Sequence, residues 1–291
     1  MELERDYDDP DFFQDHPHAI DAKVDRLYRY QAILTDQMKA ATELKEKAIR
    51  RLEQLLVDQW LYHGLPSQMN DPFEGRPHFQ SPNTPGAAKA QKQHLESMLK
   101  RGGARYKHRK EKIRRLMAQP EELSAKLHES LLETFSGQRL CCFTELGNDL
   151  LFWSHYADSH RGMCLEFDSS KFPLGVAFRV QYKEAYPKMS LPNTTTSPLR
   201  MLLTKSPDWA REREFRSLLI TDVTRHFHRL DATGSLLHLP SDVLKGVYFG
   251  TETPDEDKEL ILDMIERGPF NPSIYHGELS TNSYKVVYRP H

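Results

Sequence analysis

Residues 141–168 hold the densest run of reactive side-chain types in this 291-residue chain. Thr144, Glu145, Trp153, Ser154, His155, Tyr156, His160 and Arg161 lie there between two apolar segments, 140–143 and 163–167. Polar and aromatic groups crowded at the ends of elements mark a binding or reactive site. A second block reads Lys205…Trp209-Ala210-Arg211-Glu212-Arg213-Glu214-Phe215-Arg216 and runs on, after Ser217, into Leu218-Leu219-Ile220. Alternation on a strand sets Glu212, Glu214 and Arg216 on one face and Arg211, Arg213 and Phe215 on the other. Such a row is either a solvated ladder of charge pairs or a carboxylate delivered to the edge of a core, where its protonation can be tuned.

Asn70-Asp71-Pro72-Phe73-Glu74 forms a third cluster. Asn and Asp before Pro initiate turns by bonding their own backbone, and the same rigid loop can hold Asp71 or Glu74 at a pocket mouth. In the first block, Phe152, Tyr156 and His160 share one helical face, and Trp153 shares its neighbour with Ala157. Aromatic residues at that spacing suit a core as well as they suit stacking on a ligand. His155 and His160 do not share a face, so a histidine-only metal site is not expected. Proton transfer or phosphate contact suits one of them better.

These groups need elements to position them. Residues 24–30 alternate as a strand. Residues 35–58 repeat apolar side chains at helical spacing, with Thr35 as N-cap, and 59–62 form a short strand. The segments 140–143 and 163–167 read as strands joined by a helix over 149–158. Further strands are expected at 176–182, 244–250 and 284–288, with a helix at 255–267. Between a Ser/Pro/Asn linker and the first dense block, residues 87–131 read as two basic helices broken at Gly102-Gly103 and Pro120. Strands and helices mix without strict alternation. This predicts an α+β fold with a mixed, mainly antiparallel sheet, flanking helices and a basic helical insert. Residues 1–22 read as a flexible acidic arm and 23–291 as a single domain.

Forty Lys and Arg against 42 Asp and Glu give a formal charge of −2, so the chain as a whole is not built to coat nucleic acid. The charge is uneven, however: residues 100–115 hold nine Lys or Arg and one acid. Lys100, Arg101, Arg109, Lys110, Arg114 and Arg115 form either a solvated face or a phosphate-backbone contact. Cys141, Cys142 and Cys164 have no metal or disulfide spacing and fit reduced thiols in a cytoplasmic protein. The acidic N-terminus lacks the apolar core of a signal peptide. No apolar run is long enough to span a membrane. Walker, Gly-x-Gly-x-x-Gly, Gly-x-Ser-x-Gly and His-Glu-x-x-His motifs are absent.

Leu27-Tyr28-Arg29-Tyr30, then Asn70-Asp71-Pro72-Phe73-Glu74, then Cys142-Phe143-Thr144-Glu145…Phe152-Trp153-Ser154-His155-Tyr156-Ala157…Gly162 follow in a recognisable order. With Lys205…Trp209…Glu212-Arg213-Glu214-Phe215-Arg216, they resemble a bacterial domain-of-unknown-function family, number 2971, over roughly residues 24–220. The family name carries no function, and the basic insert is longer than such members need. A looser resemblance is to ADP-ribosyltransferases of the Arg–Ser–Glu kind. Arg29, Thr144 and Glu212-Arg213-Glu214 fall in that order, although Thr144 stands alone where that family has a Ser-Thr-Ser triplet.

The second resemblance implies NAD as a substrate. Glu214 would stabilise positive charge on the ribose and Glu212 would orient the acceptor. Arg29 would clamp pyrophosphate, Thr144 would brace Glu214, and Tyr156 or Trp153 would stack on a flat ring. Asn70, Asp71 and His155 would line the same pocket. By analogy, such a protein would be a bacterial toxin or antiviral-defence effector. Two other readings remain open. One is a nucleic-acid-binding protein or metal-dependent nuclease using Asp71, Glu74 and Glu214. The other is a non-enzymatic interaction module whose insert meets a protein partner.

Overall fold

Residues 24–30 do alternate. Leu27 enters a core on one side of the strand, while Tyr28 and Tyr30 pack on the other. The computed structural model describes residues 11–73, 78–79, 84–101, 105–119, 137–189, 199–219 and 231–291, with isolated positions from 103 to 129. In chain order the strands are β1 (Arg26–Gln31), β2 (Trp60–Tyr62), β3 (His78–Phe79), β4 (Arg139–Thr144), β5 (Met163–Asp168), β6 (Phe178–Arg179), β7 (Gln181–Tyr182), β8 (Lys188–Met189), β9 (Thr204–Lys205), β10 (Glu214–Leu219), β11 (Ala232–Thr233), β12 (Leu236–His238), β13 (Leu244–Phe249), β14 (Ser273–Leu279) and β15 (Val286–Pro290). Eight of them form one sheet in the order β15-β14-β13-β5-β1-β4-β10-β6. β13 and β14 are parallel, and the other neighbours in that sheet are antiparallel. The fold is α+β, with a mixed, mainly antiparallel sheet and flanking helices.

Two helices, Thr42–Leu56 and Asp255–Arg267, cover one face of the sheet. Leu52, Leu55, Leu56, Ile261 and Met264 bury there with Leu27, Leu165, Phe167, Val247 and Phe249. Burying side chains of this size is worth roughly 1.5–3 kcal/mol each. That is enough to hold a helix whose outer positions Glu43, Lys45, Glu46 and Lys47 are exposed. The other face carries the helix Leu150–Tyr156, capped by Asp149, whose side chain accepts from the Leu151 and Phe152 amides. This helix drives Trp153 into a second core with Tyr30, Ala157, Cys164 and Val286.

The insert begins as a helix at Pro85 and forms the pair Pro85–Arg101 and Tyr106–Ala118. Proline fits the first turn because its missing N–H has no partner there. Leu95, Ile113 and Leu123 make a small core of their own. No helix among the described residues is long and apolar enough to cross a membrane.

Several expected elements differ. The single helix over 35–58 is two, Asp36–Ala40 and Thr42–Leu56, because Ala41 is extended (φ −125°, ψ 114°). Thr35 does cap the first, accepting from the Met38 amide. Residues 176–182 fold as a 3₁₀ turn (Leu174–Val176) and two two-residue strands. β14 was not expected, since its residues are only half-buried and give no clean alternation. The described part of the N-terminal arm is packed rather than loose. Phe12 joins Phe178 in a core, His16 and Ala19 are buried, and Asp15 pairs with Arg200 and Lys183.

Candidate active site

Tyr28 on β1, Thr144 on β4 and Glu214 on β10 stand in one register row. Paired residues of antiparallel strands point to the same face, so the phenol, the hydroxyl and the carboxylate share one side of the sheet. Tyr28–Thr144 is the single register pair between β1 and β4. Where these strands part, a cavity of about 420 Å³ opens. Tyr156, Lys205, Glu212 and Glu214 line it from one face of the sheet, and Arg29, Arg51 and Tyr62 from the other.

The strand reading of residues 211–216 needs correction. Pro207–Glu212 is a 3₁₀ turn, closed by Arg213 in the left-handed region (φ 44°), and only Glu214 begins the strand. The turn still brings both acids to one site. Thr144 Oγ1 donates to the Glu212 carbonyl at 2.7 Å. Thr144 therefore braces the turn, not the Glu214 carboxylate as expected. Outside the cavity, Arg211 pairs with Asp149 and Arg213 with Glu145, fastening the turn to the loop after β4.

Glu214 is 4% exposed and Arg216 is wholly buried. Arg216 donates to both carboxylate oxygens of Glu214, through Nε at 2.8 Å and Nη2 at 2.9 Å. Lys205 Nζ lies 2.6 Å from Glu212 Oε2 and 3.5 Å from Glu214 Oε2, and 4.4 Å from the centre of the Trp209 ring. Tyr156 donates to Glu212 Oε1 at 2.5 Å and accepts from Asn70 Nδ2 at 3.2 Å. A chain of contacts thus runs from Asn70 through Tyr156, Glu212, Lys205 and Glu214 to Arg216.

Burial alone would raise the Glu214 carboxyl, but the Arg216 and Lys205 charges outweigh it and hold it at about 2. Burial would likewise lower Lys205, yet the two carboxylates raise it above its ordinary value. Burial, together with the hydrogen bond that Tyr156 donates to Glu212, pushes its phenol up. At neutral pH Glu214 is therefore charged, with Lys205 and Arg216 as its counter-charges. Arg29 and Arg51 are extra. Arg29 contacts Cys141 Sγ, the Cys142 carbonyl and Gln31, and Arg51 lies over the Tyr62 ring at 4.5 Å. Neither has a carboxylate partner among the described residues. Six charged side chains line the cavity, four cationic and two anionic, so it carries a formal excess of two positive charges.

The chain matches no protein-family model, no curated protein and no solved structure.

The cavity unites Arg29, Asn70, Thr144, Tyr156, Glu212 and Glu214. Three expected members lie elsewhere. Trp153 is wholly buried in the second core and donates from Nε1 to the Tyr288 hydroxyl at 3.0 Å, so it cannot stack on a ligand. His155 is exposed on the far side of its helix and does not line the cavity. Asp71 is 5% exposed and caps its own turn, accepting from the Phe73 amide at 2.9 Å. Glu74 falls outside the described residues. Among the described residues no group of three His, Cys, Asp or Glu is arranged to hold a metal. Arg216 was expected at the pocket with Glu212 and Glu214, and the structure places it there. Sequence reasoning gave Lys205 no role of its own and passed over Arg51, both of which line the cavity.

Proposed function

We propose that the chain is an NAD-using transferase with ADP-ribosyltransferase-like chemistry. The observation that carries this reading is the meeting of Arg29, Thr144, Glu212 and Glu214 in one cavity with a positive excess. The excess suits a diphosphate, which guanidinium groups bind bidentately. The bond from ribose to nicotinamide breaks with its electron pair passing to the pyridinium nitrogen, which leaves as neutral nicotinamide. Positive charge develops on the ribose, as in glycoside hydrolysis. Glu212 is the carboxylate suited to stabilise it, because its side chain is 12% exposed to the cavity against 5% for Glu214, which is locked in a bidentate pair with buried Arg216. An acceptor nucleophile then bonds to the ribose carbon and gives its proton to Glu212. Glu214 keeps Lys205 charged, and Lys205 and Tyr156 fix the Glu212 carboxylate. Losing one such electrostatic contact costs about 10²–10³ in rate. The protein should release nicotinamide from labelled NAD, and Glu212→Gln should slow release at least about 100-fold. No release by the unaltered protein, or unchanged release by the variant, would refute this reading.

A second reading, nucleic-acid binding, is favoured by the insert. Lys100, Arg101, Lys110, Arg114 and Arg115 are exposed on its paired helices, with Arg109 half-buried 5.7 Å from the Tyr106 ring. Phosphate contacts make binding salt-dependent, with a slope of about −0.9 per phosphate neutralised on duplex DNA. Changing Arg109, Lys110, Arg114 and Arg115 together to Ala should weaken duplex binding at 50 mM salt by roughly tenfold or more and flatten that slope. Identical titrations for both proteins would remove this reading.

A further inference from the structure

A second cavity, of about 480 Å³, lies against the helix Thr42–Leu56. It shares three wall residues, Arg29, Arg51 and Tyr62, with the carboxylate cavity. Its remaining wall is of a different kind. Ile33, Leu52 and Leu55 give an apolar floor, and Lys47 and Gln37 stand at its margin. Two spaces therefore meet at a partition that carries two guanidinium groups without carboxylate partners and one flat ring. Each is within the size range, roughly 300–1,000 Å³, of small-molecule sites.

An arginine kept beside a cavity without a counterion calls for an anion from outside. Here the anion would sit between two compartments rather than at the end of one. We infer that the two cavities are one bipartite site for a two-lobed ligand joined by a diphosphate. Arg29 and Arg51 hold the bridge, the carboxylate cavity takes the reacting ribose, and the apolar cavity takes the distal nucleoside. This deepens the transferase reading and rests on it for the assignment of the two ends. What it adds is the place of the distal nucleoside and a second guanidinium, Arg51, at the diphosphate.

Ala48 lines only the second cavity, at a half-exposed helix position that packs against the edge of the main core, so a larger side chain there fills the space. Arg51 is exposed and makes no ion pair among the described residues, so Arg51→Glu removes the bridge contact with little risk to folding. Titration calorimetry of the full chain with ADP-ribose and with inorganic pyrophosphate tests the inference. ADP-ribose should bind at least about tenfold more tightly than pyrophosphate, since only it fills both compartments. Ala48→Phe should weaken ADP-ribose about tenfold or more and leave pyrophosphate within a factor of about two. Arg51→Glu should weaken both. The bipartite site is overturned if the unaltered protein does not bind ADP-ribose, if pyrophosphate binds as tightly, or if Ala48→Phe changes nothing. Nicotinamide release together with unchanged ADP-ribose binding by Ala48→Phe would sink the bipartite site and leave the transferase. The reverse pattern would sink the transferase and leave the site.

Discussion

A guanidinium with no exposed surface needs its counterion, and Arg216 has both oxygens of Glu214 as its own. Removing one partner of a buried pair leaves a charge that water cannot reach, at a cost of about 3–5 kcal/mol. Replacing both by apolar groups is far cheaper, because neither desolvation penalty remains. Glu214→Gln and Arg216→Met should therefore each lower the urea-unfolding free energy by about 3 kcal/mol or more. The double variant Glu214→Leu/Arg216→Met should lose less than the sum of the singles by at least about 2 kcal/mol. Additive losses would show that the two side chains do not act as a pair. The row Glu212, Glu214, Arg216 was legible in the sequence as a set of acids beside a base. Its division of labour was not. Alternation supplies a face, but whether an acid is clamped or open depends on Lys205, which arrives from another strand, and on a left-handed residue at position 213. Trp153 misled for a related reason. Helical spacing puts it one residue from Phe152, which lines the cavity, and that single step is the difference between wall and core.

Elements with a strong period were readable, and those shaped by the chain's return path were not. The helix Asp255–Arg267 agrees with its expected bounds because three acids open it and an arginine closes it, the order that suits the helix dipole. β5 and β13 were visible as apolar runs because central strands are buried on both faces. β14, half-exposed beside edge strand β15, gave no such pattern. The helix expected over 149–158 stops at Tyr156 for a conformational reason. Asp158, Ser159 and His160 are all left-handed (φ 48°, 54° and 70°). A left-handed residue with a side chain costs roughly 1–2 kcal/mol, and no glycine marks any of the three. The turn is held by hydrogen bonds from the Ser159 amide to Ser154, from the His160 amide to Trp153 and from the Gly162 amide to Ala157. Gly162 itself is required, since a Cβ there would stand 2.3 Å from the Gln31 carbonyl on β1. The tight return lays β5 beside β1 and fixes Tyr156, at the end of its helix, over Glu212.

Across the whole molecule, two histidines far apart in sequence tie stability to pH. His16, in the packed N-terminal segment, bonds the Arg179 carbonyl through Nδ1, and burial pushes its pKa down to about 4. His63, after β2, sits between the Leu61 carbonyl and the Ser217 hydroxyl, and burial pushes it to about 3. Both are wholly buried. The unfolded chain protonates each near the ordinary 6.5, whereas the folded protein stays neutral there. Below that value the unfolded state binds more protons, so stability is full above about pH 6.5 and is lost as pH falls toward the folded values. The slope should approach about 2.7 kcal/mol per pH unit while both groups differ between states. Between pH 7 and 5 the loss should total about 3–4 kcal/mol, a large part of a typical 5–15 kcal/mol. Glu214 does not confuse that window, because its contribution is lost only below its ordinary 4.5 and toward about 2. Urea midpoints from pH 7 to 5 measure the slope. His18 and His276, also lowered by burial, add to the same slope, so His16→Asn or His63→Gln should each reduce it by about 1.4 kcal/mol per pH unit, whatever either does to stability at pH 7. An unchanged slope in both variants would mean that these imidazoles take up protons in the folded state, and that the segments around them open before the sheet does.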